Sequence, residues 1–214
     1  MKHPLNPKML YFGTPVVLVC SLNEDGSTNV APISSAWWLA RSAVIGMAAT
    51  SQTVHNLERR PECVLSLVDG ALVDAVDRLA LLTGRRDVPP HKVGRGYRYE
   101  PDKFGSAGLT PSPGTPAGVA ESRVELRGRV TAVHEVGGDG SALRALEVAV
   151  ADVLVDDELL MPHHPSYIDP LRWDPLIMKF TEYFTGGAMA RPSSLARGWG
   201  MPAPATPERA GLRR

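Results

Sequence analysis

The chain has 214 residues, with 23 lysines and arginines against 23 aspartates and glutamates. That balance gives no general attraction to nucleic acid or to an anionic membrane surface, and the length suits a single sizeable core. The content of 20 glycines and 19 prolines points to a β-rich, loop-rich domain. Cys20 and Cys63, each inside an apolar run, read as structural thiols of a reducing compartment. Met1-Lys2-His3-Pro4 carries no apolar signal segment, and no window is long enough to span a bilayer, so the chain reads as cytoplasmic.

In chain order, residues 2–9 are expected to form an arm that packs on the fold. Residues 16–22 are an apolar strand, and Asn23-Glu24-Asp25-Gly26-Ser27 is a hairpin turn in which Asp25-Gly26 suits positive φ. Residues 28–33 return as a second strand and stop in Ser34-Ser35-Ala36-Trp37-Trp38, where a tryptophan either stacks on a ligand or packs in the core. Residues 43–48 are a third short strand. Ala49-Thr50-Ser51-Gln52-Thr53 then opens a helix that ends before Pro61.

That helix start is the most informative local feature. Its unpaired amides carry partial positive charge and favour an anion. Thr50, Ser51 and Thr53 add hydroxyls, Asn56 follows one turn later, and no Asp or Glu occurs between Met47 and Leu57. The pattern is read either as an ordinary Ser/Thr cap or as room left for an external phosphate.

Residues 62–68 predict a further strand. Leu72, Val76, Leu79 and Leu82 stand at helical spacing, with Gly84 as the stop. Residues 85–99 are basic and contain Gly94, Gly96, Tyr97 and Tyr99; they are read either as a lid over a site or as a solvated loop. Pro101-Asp102-Lys103-Phe104 begins a short helix, and residues 108–118 are turn-rich. Val124, Leu126 and Val130 alternate with charged neighbours, Gly137-Gly138-Asp139-Gly140 turns the chain, and Leu146, Val148 and Val150 answer. This is the long antiparallel hairpin of a barrel. Residues 161–175 read as irregular and 176–184 as a last ordered segment. The division expected is a domain of residues 1–190 and a tail of 191–214 that is poorly ordered or packs on a partner subunit.

No GxGxxG, GxxxxGK[ST] or GxSxG pattern occurs, so a Rossmann domain, a P-loop NTPase and a serine hydrolase are unsupported. His163-His164 lack HExxH or CxxC company and read as loop residues rather than metal ligands, and His55 reads as a structural histidine. The absence of a nucleophile or proton-relay set favours a cofactor enzyme.

The run from Pro15 to Leu22, the Asp25-Gly26 turn, Asn29-Val30-Ala31-Pro32-Ile33-Ser34, Thr53-Val54-His55-Asn56-Leu57, Asp102-Lys103-Phe104, Gly108-Leu109-Thr110-Pro111, Ala120-Glu121-Ser122 and residues 148–160 follow one another in an order that resembles the flavin reductase-like family of FMN-binding split-barrel flavoproteins. The resemblance covers residues 5–187. It implies a mainly β fold with short helices, an antiparallel, Greek-key-like split β-barrel, in which FMN lies in a surface groove near a homodimer interface. The phosphate would sit at Ala49, Thr50, Ser51, Thr53 and Asn56, and the isoalloxazine along Asn29, Ala31, Pro32, Ile33, Ser34, Ser35, Ala36 and Trp37. There, backbone groups would bond the ring's polar edge, while Pro32 shapes the strand end. The implied chemistry is hydride transfer from NADH or NADPH to the flavin, which would pass electrons to oxygen, a metal complex or a partner monooxygenase. Basic residues within 85–98, or Lys103, would attract a nicotinamide phosphate. Two other readings stay open: a flavoprotein with tightly held FMN serving another small redox substrate, and a non-catalytic flavin-binding or electron-carrier protein. Leu39-Ala40-Arg41-Ser42 is shorter than the corresponding link in relatives, and the basic segment matches no family role.

Overall fold

A computed structural model of the chain describes residues 1–7, 10–191, 193, 195–196 and 199–202. Its centre is a seven-stranded antiparallel sheet built from β2 (Val17–Leu22), β3 (Thr28–Ile33), β4 (Ala36–Leu39), β5 (Ser42–Ala48), β6 (Glu62–Leu67), β9 (Val124–Glu135) and β10 (Leu143–Val155). The strands between these in sequence are β7 (Leu82–Thr83) and β8 (Arg98–Tyr99), which form a small parallel pair. β1 (Phe12–Pro15), β13 (Ile177–Lys179) and β14 (Glu182–Phe184) form a third sheet, and β11 (Leu160–Met161) pairs with β12 (His164–Ile168). The helices are α1 (Gln52–Arg59), α2 (Val73–Ala80), α3 (Pro90–Val93) and α4 (Lys103–Ala107).

The order across the large sheet is β3-β2-β6-β9-β10-β5-β4. Its two edges, β3 and β4, are consecutive in sequence and joined only by Ser34-Ser35, so the sheet must roll until its ends meet. One apolar cluster fills the resulting interior with Val17 and Val19 of β2, Ala36 of β4, Ile45 of β5, Leu65 of β6, Val130 of β9 and Leu146 of β10. Val54 and Leu57 of α1 join that cluster and stop one end of the barrel. Since β3 and β4 are not hydrogen-bonded neighbours, the barrel is split between them.

A second cluster covers the outer face of β2, β3 and β6: Leu18, Cys20, Val30 and Val64 pack against Val76 and Leu79 of α2 and Phe104 and Ala107 of α4. Buried on both faces, β2 is buried at all six positions, which explains its unbroken apolar run rather than an alternating one. β9 and β10 instead alternate, and register shifts between Glu147 and Val148 and between Val150 and Asp152 coil the long hairpin. Beside them Gly128 is required, because a Cβ there would lie 2.2 Å from the Ala149 carbonyl oxygen.

Several expectations are corrected. Trp37 and Trp38 do not end β3; they form β4 and are 58% and 44% exposed, so neither is core. His55 faces solvent on α1. Residues 161–168, expected to be irregular, belong to the β11–β12 hairpin. α2 ends at Ala80, and Leu82–Thr83 is already strand before Gly84. The turn-rich residues 108–118, as expected without regular strands, are held by a bridge from Pro111 to Val119 and by the Ser112 hydroxyl donating to buried Glu125, which also takes two bonds from Arg127. Residues 1–6 are exposed rather than packed on the barrel, while Lys8, Met9 and residues 203–214 of the expected tail lie outside the described residues. Among the described residues no helix is long and apolar enough to cross a membrane.

Candidate functional site

The slit between β3 and β4 opens into a cleft of about 360 Å³. Its walls are the end of β3 and the link after it (Ala31, Pro32, Ile33, Ser34, Ser35), the end of β5 (Gly46, Met47, Ala48) and the start of α1 (Ser51, Gln52, Thr53). α2 and β13 supply apolar sides, among them Val76, Leu79 and Met178.

The helix start has the features of a cap and of a site together. Ser51 is extended (φ −74, ψ 147), and its hydroxyl accepts from the Val54 amide at 3.2 Å. The amides ahead of Val54 lie in the first turn, where no intrahelical acceptor exists, and that turn holds no acidic side chain. Thr53 is buried, and its hydroxyl accepts from the Asn29 side-chain amide at 3.2 Å, tying α1 to β3. Asn29 Oδ1 is buried without a partner among the described residues. It stands 2.6 Å from where a Cβ on Gly84 would be, so the chain leaving β7 passes this corner closely as glycine.

Asn56 does not reach the cleft. It is fully buried, and its Nδ2 donates to Ser21 Oγ (3.1 Å) and Asn23 Oδ1 (2.9 Å) while its Oδ1 accepts from Gln52 (2.9 Å). One helical turn brings it to the same end of α1 but onto the face that meets β2. Ala36 is in the barrel interior, and Trp37 lies outside the cleft lining on the exposed edge strand. Ala49 and Thr50 precede the cap and do not line the cleft, although the Thr50 carbonyl accepts from Arg85 at 3.2 Å.

The register of β3 decides which backbone groups are free. Pro32 faces Leu18 and has no N–H, so that pair is a non-hydrogen-bonded one. Ala31 opposite Val19, and Ile33 opposite Val17, are then the pairs that exchange both bonds with β2. The carbonyls of Val30 and Pro32 therefore point to the open edge, where a proline costs the sheet nothing. This corrects the expectation that Ala31 and Ile33 offer their backbone groups outward. Ser35 is pinned by two contacts: its carbonyl accepts from the Gly46 amide at 2.7 Å, and its hydroxyl shares a hydrogen bond of 3.2 Å with the Tyr11 phenol.

Lys103 reaches the cleft from α4, whose start is capped by Asp102 accepting from the Gly105 amide at 2.9 Å. Its Nζ donates to the Val30 carbonyl at 3.0 Å, and only 4% of the residue is exposed. Burial, with the like charge of Lys92 next, draws its pKa down to about 8. Lys92 and Tyr97, from the basic segment, line the same cleft, with the Lys92 ammonium 5.6 Å from the Tyr97 ring centre. Burial and then Arg85 lower the Lys92 pKa. No described residue lining the cleft is Asp or Glu. The site is thus electropositive, walled by apolar side chains, and supplied with amide and hydroxyl donors at one end. That donor set fits a planar, partly apolar ligand bearing an anionic group.

Sequence reasoning did not find Tyr11, Gln52, Lys92 as a lining residue, or Tyr183, whose burial raises its pKa and keeps it neutral. The aromatic residues carried no pattern that could have flagged them, since each comes from a segment remote in sequence.

Comparison with known proteins bears on what the cleft holds. The model of the "Flavin reductase like domain" matches residues 9–186. The protein YdfE of Bacillus subtilis (strain 168) is 31% identical over 183 residues, covering 84% of this chain and 87% of its own. Among solved structures, flavoredoxin of Desulfovibrio vulgaris (Miyazaki F) superposes with a TM-score of 0.74 at 22% identity, covering 92% of this chain and 100% of its own. Nitrilotriacetate monooxygenase component B from Bacillus cereus gives 0.71 at 19% identity, over 90% and 99% of the two chains. At those identities the two structures speak for the fold alone.

Proposed function

The chain belongs to the flavin reductase-like family, and we propose that it is an FMN-binding oxidoreductase that takes hydride from NADH or NADPH and hands electrons on through its flavin. Family membership supports a flavin and redox chemistry, and the choice of FMN and of a nicotinamide reductant rests on the cleft. The observation that carries it is the acid-free cleft between the end of β3 and the start of α1, with donors at one end and apolar walls along its length.

Bound there, the flavin supplies the hydride- and electron-accepting chemistry, which no side chain of the cleft can perform. The residues bind, orient and shield. Ser51, Thr53 and the first amides of α1 would hold the phosphate. The edge carbonyl of Pro32 and the pinned link at Ser34-Ser35 would fix the ring's polar side, and Val76, Leu79 and Met178 keep water from its flank. Lys103, with a pKa of about 8, keeps its proton at neutral pH and supplies positive charge on the floor, which favours an anionic occupant.

A second reading, a resident-flavin electron carrier, draws support from the likeness to flavoredoxin over that chain's whole length. The monooxygenase component among the similar structures supports a partner monooxygenase as the consumer of reduced flavin. Edge strand β4 presents Trp37, Trp38 and Leu39 to solvent, an apolar edge that supports a homodimer.

The deciding experiment mixes the purified protein with FMN, separates free flavin, and follows NADH and NADPH oxidation with and without added flavin. A reductase gives turnover that scales with added flavin; a carrier keeps the visible flavin band and turns over little. A protein that takes up no flavin refutes both.

A further inference from the structure

Part of the cleft wall is aromatic and has no role in the reading above. Tyr11, Tyr97 and Tyr183 line the cleft, each half-buried. Two of the three belong to the small sheet of β1, β13 and β14. Tyr11 immediately precedes β1, its carbonyl accepts from the Phe180 amide at 2.9 Å, and Met178 of β13 pairs with Tyr183 of β14. This sheet sorts its aromatic residues by chemistry. Phe12, Phe180 and Phe184 are 72%, 50% and 42% exposed, whereas Tyr11, Tyr183 and Met178 line the cleft. A tyrosine offers an apolar ring face with a polar tip, and a thioether packs well against a ring edge, so this wall suits a flat ligand ring.

Tyr97 arrives from another direction and brings Lys92 with it. The parallel pairs Leu82–Arg98 and Thr83–Tyr99 clamp the ends of the segment between β7 and β8. Inside it, the Tyr97 amide donates to the Lys92 carbonyl at 3.1 Å, and the Lys92 ammonium lies 5.6 Å from the Tyr97 ring centre. Lys92 is half-buried, within reach of the like charges of Arg85 and Lys103. It belongs to none of the ion pairs among the described residues, and no described carboxylate lines the cleft. Partly burying a cation in such company is unfavourable unless an anion completes the arrangement. One ammonium among phenol rings and a thioether suits a flat ring that carries a single negative charge.

We infer that this collar is a subsite for a planar aromatic monocarboxylate, its ring held by Tyr11, Tyr183 and Met178 and its carboxylate paired with Lys92. The inference rests on the flavin reading only for the ligand's place beside the cofactor, and deepens it by naming the class of a second ligand.

The test titrates benzoate, benzamide and cyclohexanecarboxylate into the flavin-loaded protein by calorimetry, with the visible flavin band showing whether the flavin stays bound. Benzamide keeps the ring and removes the charge; cyclohexanecarboxylate keeps the charge and removes the flat ring. Benzoate should bind about tenfold more tightly than either. In Lys92→Met, matched to wild type in thermal unfolding, the benzoate-over-benzamide preference should vanish, and in Arg95→Ala, an exposed cation of the same segment, it should hold. Tyr183→Leu should weaken benzoate and benzamide together, and Tyr183→Phe, which keeps the ring, should restore both. Equal affinity for the three probes, no binding, or displacement of the flavin by benzoate overturns the inference and leaves the flavin reading intact. A protein that takes up no flavin but shows the same probe preferences refutes the flavin reading and leaves the subsite standing.

Discussion

The Lys103 ammonium donates to the Val30 carbonyl at 3.0 Å, so a charge from α4 rests, almost fully buried, on the open edge of β3. Its folded pKa, about 8, lies below the ordinary 10.5. Between those values the unfolded chain holds more protons than the folded one, so stability rises with pH through that window. Lys103→Met should therefore stabilise the protein at pH 7 by about 1–3 kcal/mol, and the gain should shrink as pH passes 8 toward 10.5. Urea unfolding at pH 7 and pH 10 checks this.

The same lysine should make flavin binding pH-dependent. As pH rises through about 8, Lys103 loses its proton. Affinity for FMN should fall across that range in wild type and fall less steeply in Lys103→Met. Fluorescence titration from pH 6.5 to 9.5, roughly one to two units either side of the folded pKa, gives both slopes.

Ser51 allows cap and site to be separated. Ser51→Asp keeps a good N-cap and puts negative charge at the dipole's positive end, so Tm should hold or rise. FMN affinity should drop by tenfold or more, on the order of 1.4 kcal/mol, because a fixed carboxylate now occupies the acid-free turn. A Tm loss without an affinity loss would confine Ser51 to capping.

Asn56→Ala removes three side-chain hydrogen bonds: a buried one to Ser21 of β2, one to Asn23 in the turn after β2, and one from Gln52 within α1. It should cost about 2–4 kcal/mol of stability while leaving the FMN affinity of the folded fraction within a few fold. Thermal melts beside flavin titration distinguish the two effects.

Trp38→Lys on edge strand β4 should leave the monomer's stability nearly unchanged, since the side chain is 44% exposed. If β4 is the homodimer edge, light scattering should show the variant's mass halved relative to wild type.

Much of this was legible in the residues. The unbroken apolar run of β2 signalled a strand covered on both faces, Ser51 signalled a cap, and the glycine turn after Glu135 signalled the β9–β10 hairpin. The positions that escaped depend on contacts between distant segments. Asn56 has the right distance from the helix start but the wrong azimuth, which only the packing of α1 on β2 decides. Ala31 and Ile33 lie in the right stretch, but the pairing phase set by Pro32 turns their polar groups toward β2. Lys92 enters the cleft because β7 and β8 run parallel, a pairing of two-residue strands too short to leave a pattern.

The order of pairing in the large sheet also bears on how the protein is made. β5 lies against β10, with Ile45 opposite Leu146, so one flank of the slit has no inner neighbour until residues 143–149 have left the ribosome. Such a distant partner makes closure slow. A nascent chain halted before residue 143 would present β4 and β5 as a loose ribbon, and flavin capture would wait for β10.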